Sequence, residues 1–100
     1  MVKIEFYGYS DSKEYIENTG VEVEDIFKMY FPESDYELKY NKEETEFQFI
    51  FSGEWTNAED IDEDVVREIC NNHELYCSIH ENGKSVKKYY YDEDDVFVYD

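Results

Sequence analysis

The sequence predicts a single α+β domain: an antiparallel sheet with two helices on one face and a C-terminal β extension. Three observations predict it. Apolar residues alternate with polar ones in several short runs, the signature of half-buried strands. Two stretches between those runs change to the helical period. Asn82-Gly83, flanked by alternating residues, is a strong hairpin signal. At 100 residues the chain can bury one modest core and is too short for two.

Val2, Ile4 and Phe6 alternate with Lys3, Glu5 and Tyr7, so the first strand runs to Gly8-Tyr9. Ser10-Asp11-Ser12 offers N-cap chemistry for a short helical turn through Tyr15 and Ile16, which Asn18-Thr19-Gly20 interrupts. From Glu22 the period changes. Val23, Ile26, Phe27, Tyr30 and Phe31 share one helical face, and Pro32 ends this first main helix. Tyr36, Leu38 and Tyr40, a turn at Asn41-Lys42-Glu43-Glu44, and then Phe47, Phe49 and Phe51 form a hairpin whose phenylalanines point into the core.

Gly53-Glu54-Trp55 leaves that strand. Thr56 with Glu59, or Asp60 with Glu63, can form a capping box for a second helix over 57–70. Ile61, Val65, Val66 and Ile69 make its apolar stripe, and Asp60, Glu63, Asp64 and Glu68 fall on the opposite side. Arg67, the only arginine, lies within reach of Glu63 and Asp64. Leu75, Cys77 and Ile79 then alternate with Tyr76, Ser78 and His80. A two-residue Asn82-Gly83 loop pairs Ile79 with Val86 and Tyr76 with Tyr89. It turns Lys87 and Lys88 to opposite faces, Lys88 being expected to reach past the core edge to solvent or an acid. Asp92-Glu93-Asp94-Asp95 breaks the strand, and 96–99 forms a last one.

The first six of these elements match the split βαβ pattern of a ferredoxin-like sandwich. The run Phe47-x-Phe49-x-Phe51-x-Gly53-x-Trp55, an amphipathic helix and then Glu81-Asn82-Gly83 resembles small ferredoxin-like proteins carried on plasmids and phages. The resemblance covers about half the chain and implies a fold and a mobile-element origin.

Charge limits the function classes. Twenty-seven acidic residues against nine basic ones give a net charge of −18, whereas solubility needs a magnitude of only about 2 to 8 in a small domain. With 19% aromatic and 41% hydrophobic residues the chain is expected to fold rather than stay disordered. A polyanion is repelled by nucleic acid and by anionic membranes, so direct contact with either is not expected and the natural partners are cationic surfaces. Cys70 and Cys77 form no disulfide framework, Met1-Val2-Lys3-Ile4-Glu5 has no secretory pattern, and no apolar run is long enough to span a membrane. A soluble, reduced, cytoplasmic protein is expected, in the host cytoplasm if phage-encoded.

Chemistry-bearing motifs are sparse. Cys70-x-x-His73 with Cys77-x-x-His80 reads as a zinc ligand set, but Cys77 and His80 stand on opposite strand faces, so no metal or other cofactor is expected. Asp92-Glu93-Asp94-Asp95 lacks the spacing and central Gly of a calcium loop. No nucleophile-base set or phosphate loop is present, so an enzyme is not expected. Tyr7, Tyr9, Tyr76, Tyr89 and Tyr91 fall opposite the apolar alternation, either as partial cover of a sheet face or as an aromatic contact surface.

These readings converge on an acidic inhibitor that mimics nucleic acid and occupies the basic surface of a nucleic-acid-binding protein or nuclease. Alternate strand residues lie ~6.8 Å apart and i, i+4 helix residues ~6 Å apart, close to phosphate spacing. Glu59, Asp60, Glu63, Asp64 and Glu68 form the expected partner-binding row, and Asp92, Glu93, Asp94 and Asp95 extend it. Reversing Asp60, Glu63 and Asp64 together is expected to slow association without unfolding the domain. In charge and size the chain is similar to phage anti-restriction and anti-CRISPR proteins. An immunity protein for a cationic toxin, or a structural or assembly subunit, is the alternative.

Overall fold

Alternation along the chain becomes one buried and one open sheet face. In the computed structural model, which describes residues 1–93 and 95–99, the first strand, β1 (Val2–Tyr9), buries Val2, Ile4, Phe6 and Gly8. It turns Lys3, Glu5, Tyr7 and Tyr9 the other way. The chain continues through α1 (Lys13–Tyr30), β2 (Asp35–Asn41), β3 (Glu46–Gly53), a 3₁₀ turn (Ala58–Asp60), α2 (Glu63–His73), β4 (Tyr76–Glu81), β5 (Lys84–Asp92) and β6 (Asp95–Tyr99). The strands form one antiparallel six-stranded sheet in the order β2-β3-β1-β4-β5-β6. Both helices pack on the face that carries Ile4, Phe6, Phe51 and Ile79, closing a single core. No described helix is long and apolar enough to cross a membrane.

The first helix departs from the expected short turn plus a separate helix. Ser12 caps it, its hydroxyl accepting the Tyr15 N–H at 3.2 Å, and the helix then runs unbroken through Asn18-Thr19-Gly20. A Cβ on Gly20 would come within 2.8 Å of the Tyr36 hydroxyl and 3.0 Å of the Phe49 ring. The glycine therefore marks a close approach of α1 to the sheet, where burial outweighs the roughly 1 kcal/mol helical cost of Gly against Ala. Phe27 anchors the far half. Its ring stacks on Phe51 at 4.1 Å and meets Phe6 at 6.1 Å and Trp55 at 6.0 Å.

The second predicted helix is also corrected. Ala58–Asp60 is a 3₁₀ turn, Ile61 is extended, and α2 begins only at Glu63, capped by Asp62, whose carboxylate accepts the Asp64 N–H at 2.9 Å. Asp60 closes a capping box with Asn57, and its carboxylate accepts the N–H groups of Thr56 and Asn57 at 3.0 and 3.2 Å. Side chains of this type compete for nearby backbone N–H groups, so a run of them starts a helix late as readily as it continues one.

The Asn82-Gly83 turn forms as the sequence predicts, with both residues at positive φ, and pairs Glu81 with Lys84 and His80 with Ser85. A bulge then shifts the register by one. Ile79 pairs with Lys87, Ser78 with Lys88 and Cys77 with Tyr89, instead of Ile79 with Val86 and Tyr76 with Tyr89. The lysine that reaches past the core edge is consequently Lys87, whose Nζ lies 3.7 Å from Glu63, whereas Lys88 lies on the open face.

Several protons are held by burial. Burial, with Glu24 nearby, pushes the Tyr36 phenol up to about 12. Tyr89 is raised by burial and by Glu63, and the Cys77 thiol rises well above its ordinary value by burial and then by the adjoining Cys70. The unfolded chain releases these protons at ordinary values of about 8.5 for Cys and 10 for Tyr. Their contribution to stability is therefore complete below about pH 8.5 and declines as pH rises through about 12. Denaturant midpoints measured along an alkaline series are expected to fall across that window. A rise in midpoint there contradicts the assignment.

Candidate functional site

Two surfaces carry the exposed chemistry. The first is acidic. Glu59, Asp60, Glu63, Asp64 and Glu68 are all exposed, but the late start of α2 splits them between the 3₁₀ turn and the helix, so they do not form one uninterrupted helical row. Two of the five are also engaged. Asp60 holds the capping box, and Glu63 lies 3.7 Å from the Arg67 Nε and 3.7 Å from the Lys87 Nζ. Arg67 also donates from its Nη1 to the Val96 carbonyl at 2.8 Å, which fastens α2 to β6. Glu59, Asp64 and Glu68 pair with no described cation.

The C-terminal acids lie at the other end of α2. Glu81 of β4 accepts the Ala58 N–H near the start of α2, while the Tyr91 hydroxyl donates to Glu74, just past its end, at 3.4 Å. Asp92 and Asp95 follow Tyr91 and pair with each other across the β5–β6 turn, and both are exposed, as is Glu93. Asp94 lies outside the described residues. The 11-residue helix, ~16 Å long, therefore has Glu59 near one end, Asp64 and Glu68 along it, and Asp92, Glu93 and Asp95 beyond the other. Asp62 and Glu74, exposed acids at the helix ends, belong to the same series. The sequence signal for them was charge alone.

The second surface is the sheet face that no helix covers. Tyr7 of β1 lies 5.5 Å from Tyr76 of β4, Tyr76 lies 6.1 Å from Tyr90 of β5, and Tyr90 lies 5.2 Å from Tyr99 of β6. Tyr9 and Phe97 share that face and are well exposed. Of the expected tyrosines, Tyr7, Tyr9 and Tyr76 are here. Tyr89 is not: the bulge turns it into the core, 1% exposed, and Tyr91 to the helix side, and brings Tyr90 to the open face instead. Phe97 and Tyr99 were legible as the odd partners of Val96 and Val98 in a strand of period 2.

The four members of the Cys/His set do not converge: Cys70 adjoins Cys77, while His73 and His80 lie against other residues. Cys70 and Cys77 are both buried and free. His73 Nδ1 lies 3.6 Å from Glu22, and His80, on the open face, has its Nε2 3.3 Å from Glu5. No group of three or more His, Cys, Asp or Glu among the described residues is placed to hold a metal ion. What remains is a framework that can attract cations along α2 and present aromatic rings on the sheet. No protein-family model, curated protein or solved structure matches the chain.

Proposed function

We propose that this chain is a non-catalytic acidic inhibitor that occupies the cationic surface on which another protein binds nucleic acid. The observation that carries the reading is the series Glu59, Asp64, Glu68 and then Asp92, Glu93 and Asp95 along and beyond α2, on a chain with a net charge of −18. A groove lined with Lys and Arg for a polyanion gains from carboxylates whose positions a folded backbone has already fixed. Such binding is steered at long range and weakens steeply with salt. The similarity in charge and size to phage anti-restriction and anti-CRISPR proteins supports the same class of target. We also read the strands β2-β3-β1-β4 with α1 and α2 as a ferredoxin-like unit, β5 and β6 extending its β4 edge.

The tyrosine face favours a second reading, an immunity protein that blocks a cationic toxin. A mimic of phosphates needs no apolar centre, whereas a conventional interface has an aromatic one. Capture from lysate with elution by salt separates the two: a nucleic-acid effector comes off under the first reading, one cognate toxin under the second, and chiefly the chain itself if it is an assembly subunit.

The geometry also changes which acids test the first reading. Reversing Asp60 or Glu63 removes a cap or two ion pairs, so a loss of binding there would not separate contact from folding. The triple variant Glu59→Lys, Asp64→Lys, Glu68→Lys touches none of these. It is expected to slow association with a captured cationic partner at least tenfold at low salt while thermal unfolding stays within a few degrees of the parent. Unchanged association would remove the helical series from the interface.

A further inference from the structure

We propose a binding site for the cationic side chain of an arginine or lysine, presented by a partner protein, in the groove between the end of α1 and the end of β3. The groove has a volume of about 550 Å³ and is lined by Tyr30, Phe31 and Trp55 together with Glu33, Asp35 and Glu54, with no lysine or arginine among its lining residues. Phe31 and Trp55 stand nearly perpendicular, their centroids 5.4 Å apart at 87°, which gives the groove two aromatic walls meeting at a corner. The walls are fixed before any ligand arrives. Trp55 also meets Phe27 at 84°, and its ring lies so close over Gly53 that a Cβ there would sit 3.0 Å from it. Glu33, Asp35 and Glu54 form no ion pair with a described cation.

Charge complementarity selects the occupant. The negative faces of aromatic rings attract ammonium and guanidinium groups, and indole does so most strongly. A carboxylate rim adds attraction for the same cations and repels nucleotides, phosphates and acidic peptides. A planar guanidinium can lie against one ring while its N–H groups reach a carboxylate, and an alkylammonium does the same as a point charge. This site goes beyond the electrostatic capture proposed above, since its lining shares no residue with the α2 series and it discriminates by shape as well as charge.

Trp55 is the only tryptophan in the chain, so its fluorescence reports on the groove directly. The isolated protein is titrated with a short capped peptide carrying one arginine, with the same peptide carrying citrulline, the neutral isostere, and with tetramethylammonium. Saturable change with the arginine peptide is expected, at least tenfold weaker with the citrulline peptide. It is also expected to weaken at least tenfold in the double variant Asp35→Asn, Glu54→Gln, whose exposed carboxylates hold no part of the fold together. Equal response to both peptides, an unaltered response in the double variant or no saturable change overturns the proposal. Tetramethylammonium binding more tightly than the arginine peptide overturns the assignment to a protein side chain. Because the titration uses no nucleic-acid-binding protein, its outcome is independent of whether the proposed inhibition holds.

Discussion

Replacing Phe27 by alanine is expected to cost about 3–5 kcal/mol, the range for a buried aromatic reduced to a methyl group, and to bring a domain of this size close to unfolding at ordinary temperature. Phe27 is fully buried and joins elements that are otherwise far apart in the chain. Its ring stacks on Phe51 of β3, meets Phe6 of β1 and touches Phe31 and Trp55 beyond the end of α1. Removing it leaves a cavity that these rings cannot all close, because each is held by others at its far side. Urea unfolding followed by tyrosine and tryptophan fluorescence measures the loss. A cost below about 1 kcal/mol would mean that the aromatic cluster repacks and that α1 is held by something other than this ring.

The second large effect is a contrast between neighbours. Tyr89→Ala is expected to destabilise by about 3–5 kcal/mol, while Tyr90→Ala costs about 1–3 kcal/mol, the worth of its two ring contacts. Tyr89 is 1% exposed, paired with Cys77 on one side and Val98 on the other. Tyr90, 36% exposed, has its ring against Tyr76 and Tyr99 on the uncovered face. The two residues exchange roles if the bulge beside Ile79 and His80 is absent, so equilibrium unfolding of the two variants reads the register directly. A larger loss for Tyr90 than for Tyr89 would contradict the shifted register.

That register also marks where the sequence stops being legible. Val2, Ile4 and Phe6, or Phe47, Phe49 and Phe51, assign their own faces, because a slip by one residue would expose them all. Val86-Lys87-Lys88-Tyr89-Tyr90-Tyr91 offers no such parity: two lysines and three tyrosines in succession suit either register. The Asn82-Gly83 turn fixes only the pairs beside it. Gly20 misleads for the opposite reason. Its local preference is to end a helix, yet the crowding against Tyr36 and Phe49 is tertiary and has no trace in neighbouring residues.

The candidate surfaces divide in the same way. Acid content along 59–68 and 92–95 was plain, since charge needs no geometry to be counted. Which acids are engaged in capping and pairing depended on where α2 begins and on Lys87 reaching Glu63, a contact between α2 and β5 that no spacing rule connects. The groove at Trp55 draws on the α1–β2 connection and the end of β3, brought together by the antiparallel pairing of Asp35 with Ser52. Its residues are unremarkable one by one and meaningful only as neighbours.

Competition between this chain and nucleic acid for a protein captured by it tests the central claim most directly. The account predicts mutual exclusion: bound duplex or single strand is released as the chain is added, and the logarithm of the chain's apparent affinity falls linearly with the logarithm of salt concentration. A stable ternary complex, with nucleic acid still bound and affinity indifferent to salt, would contradict it.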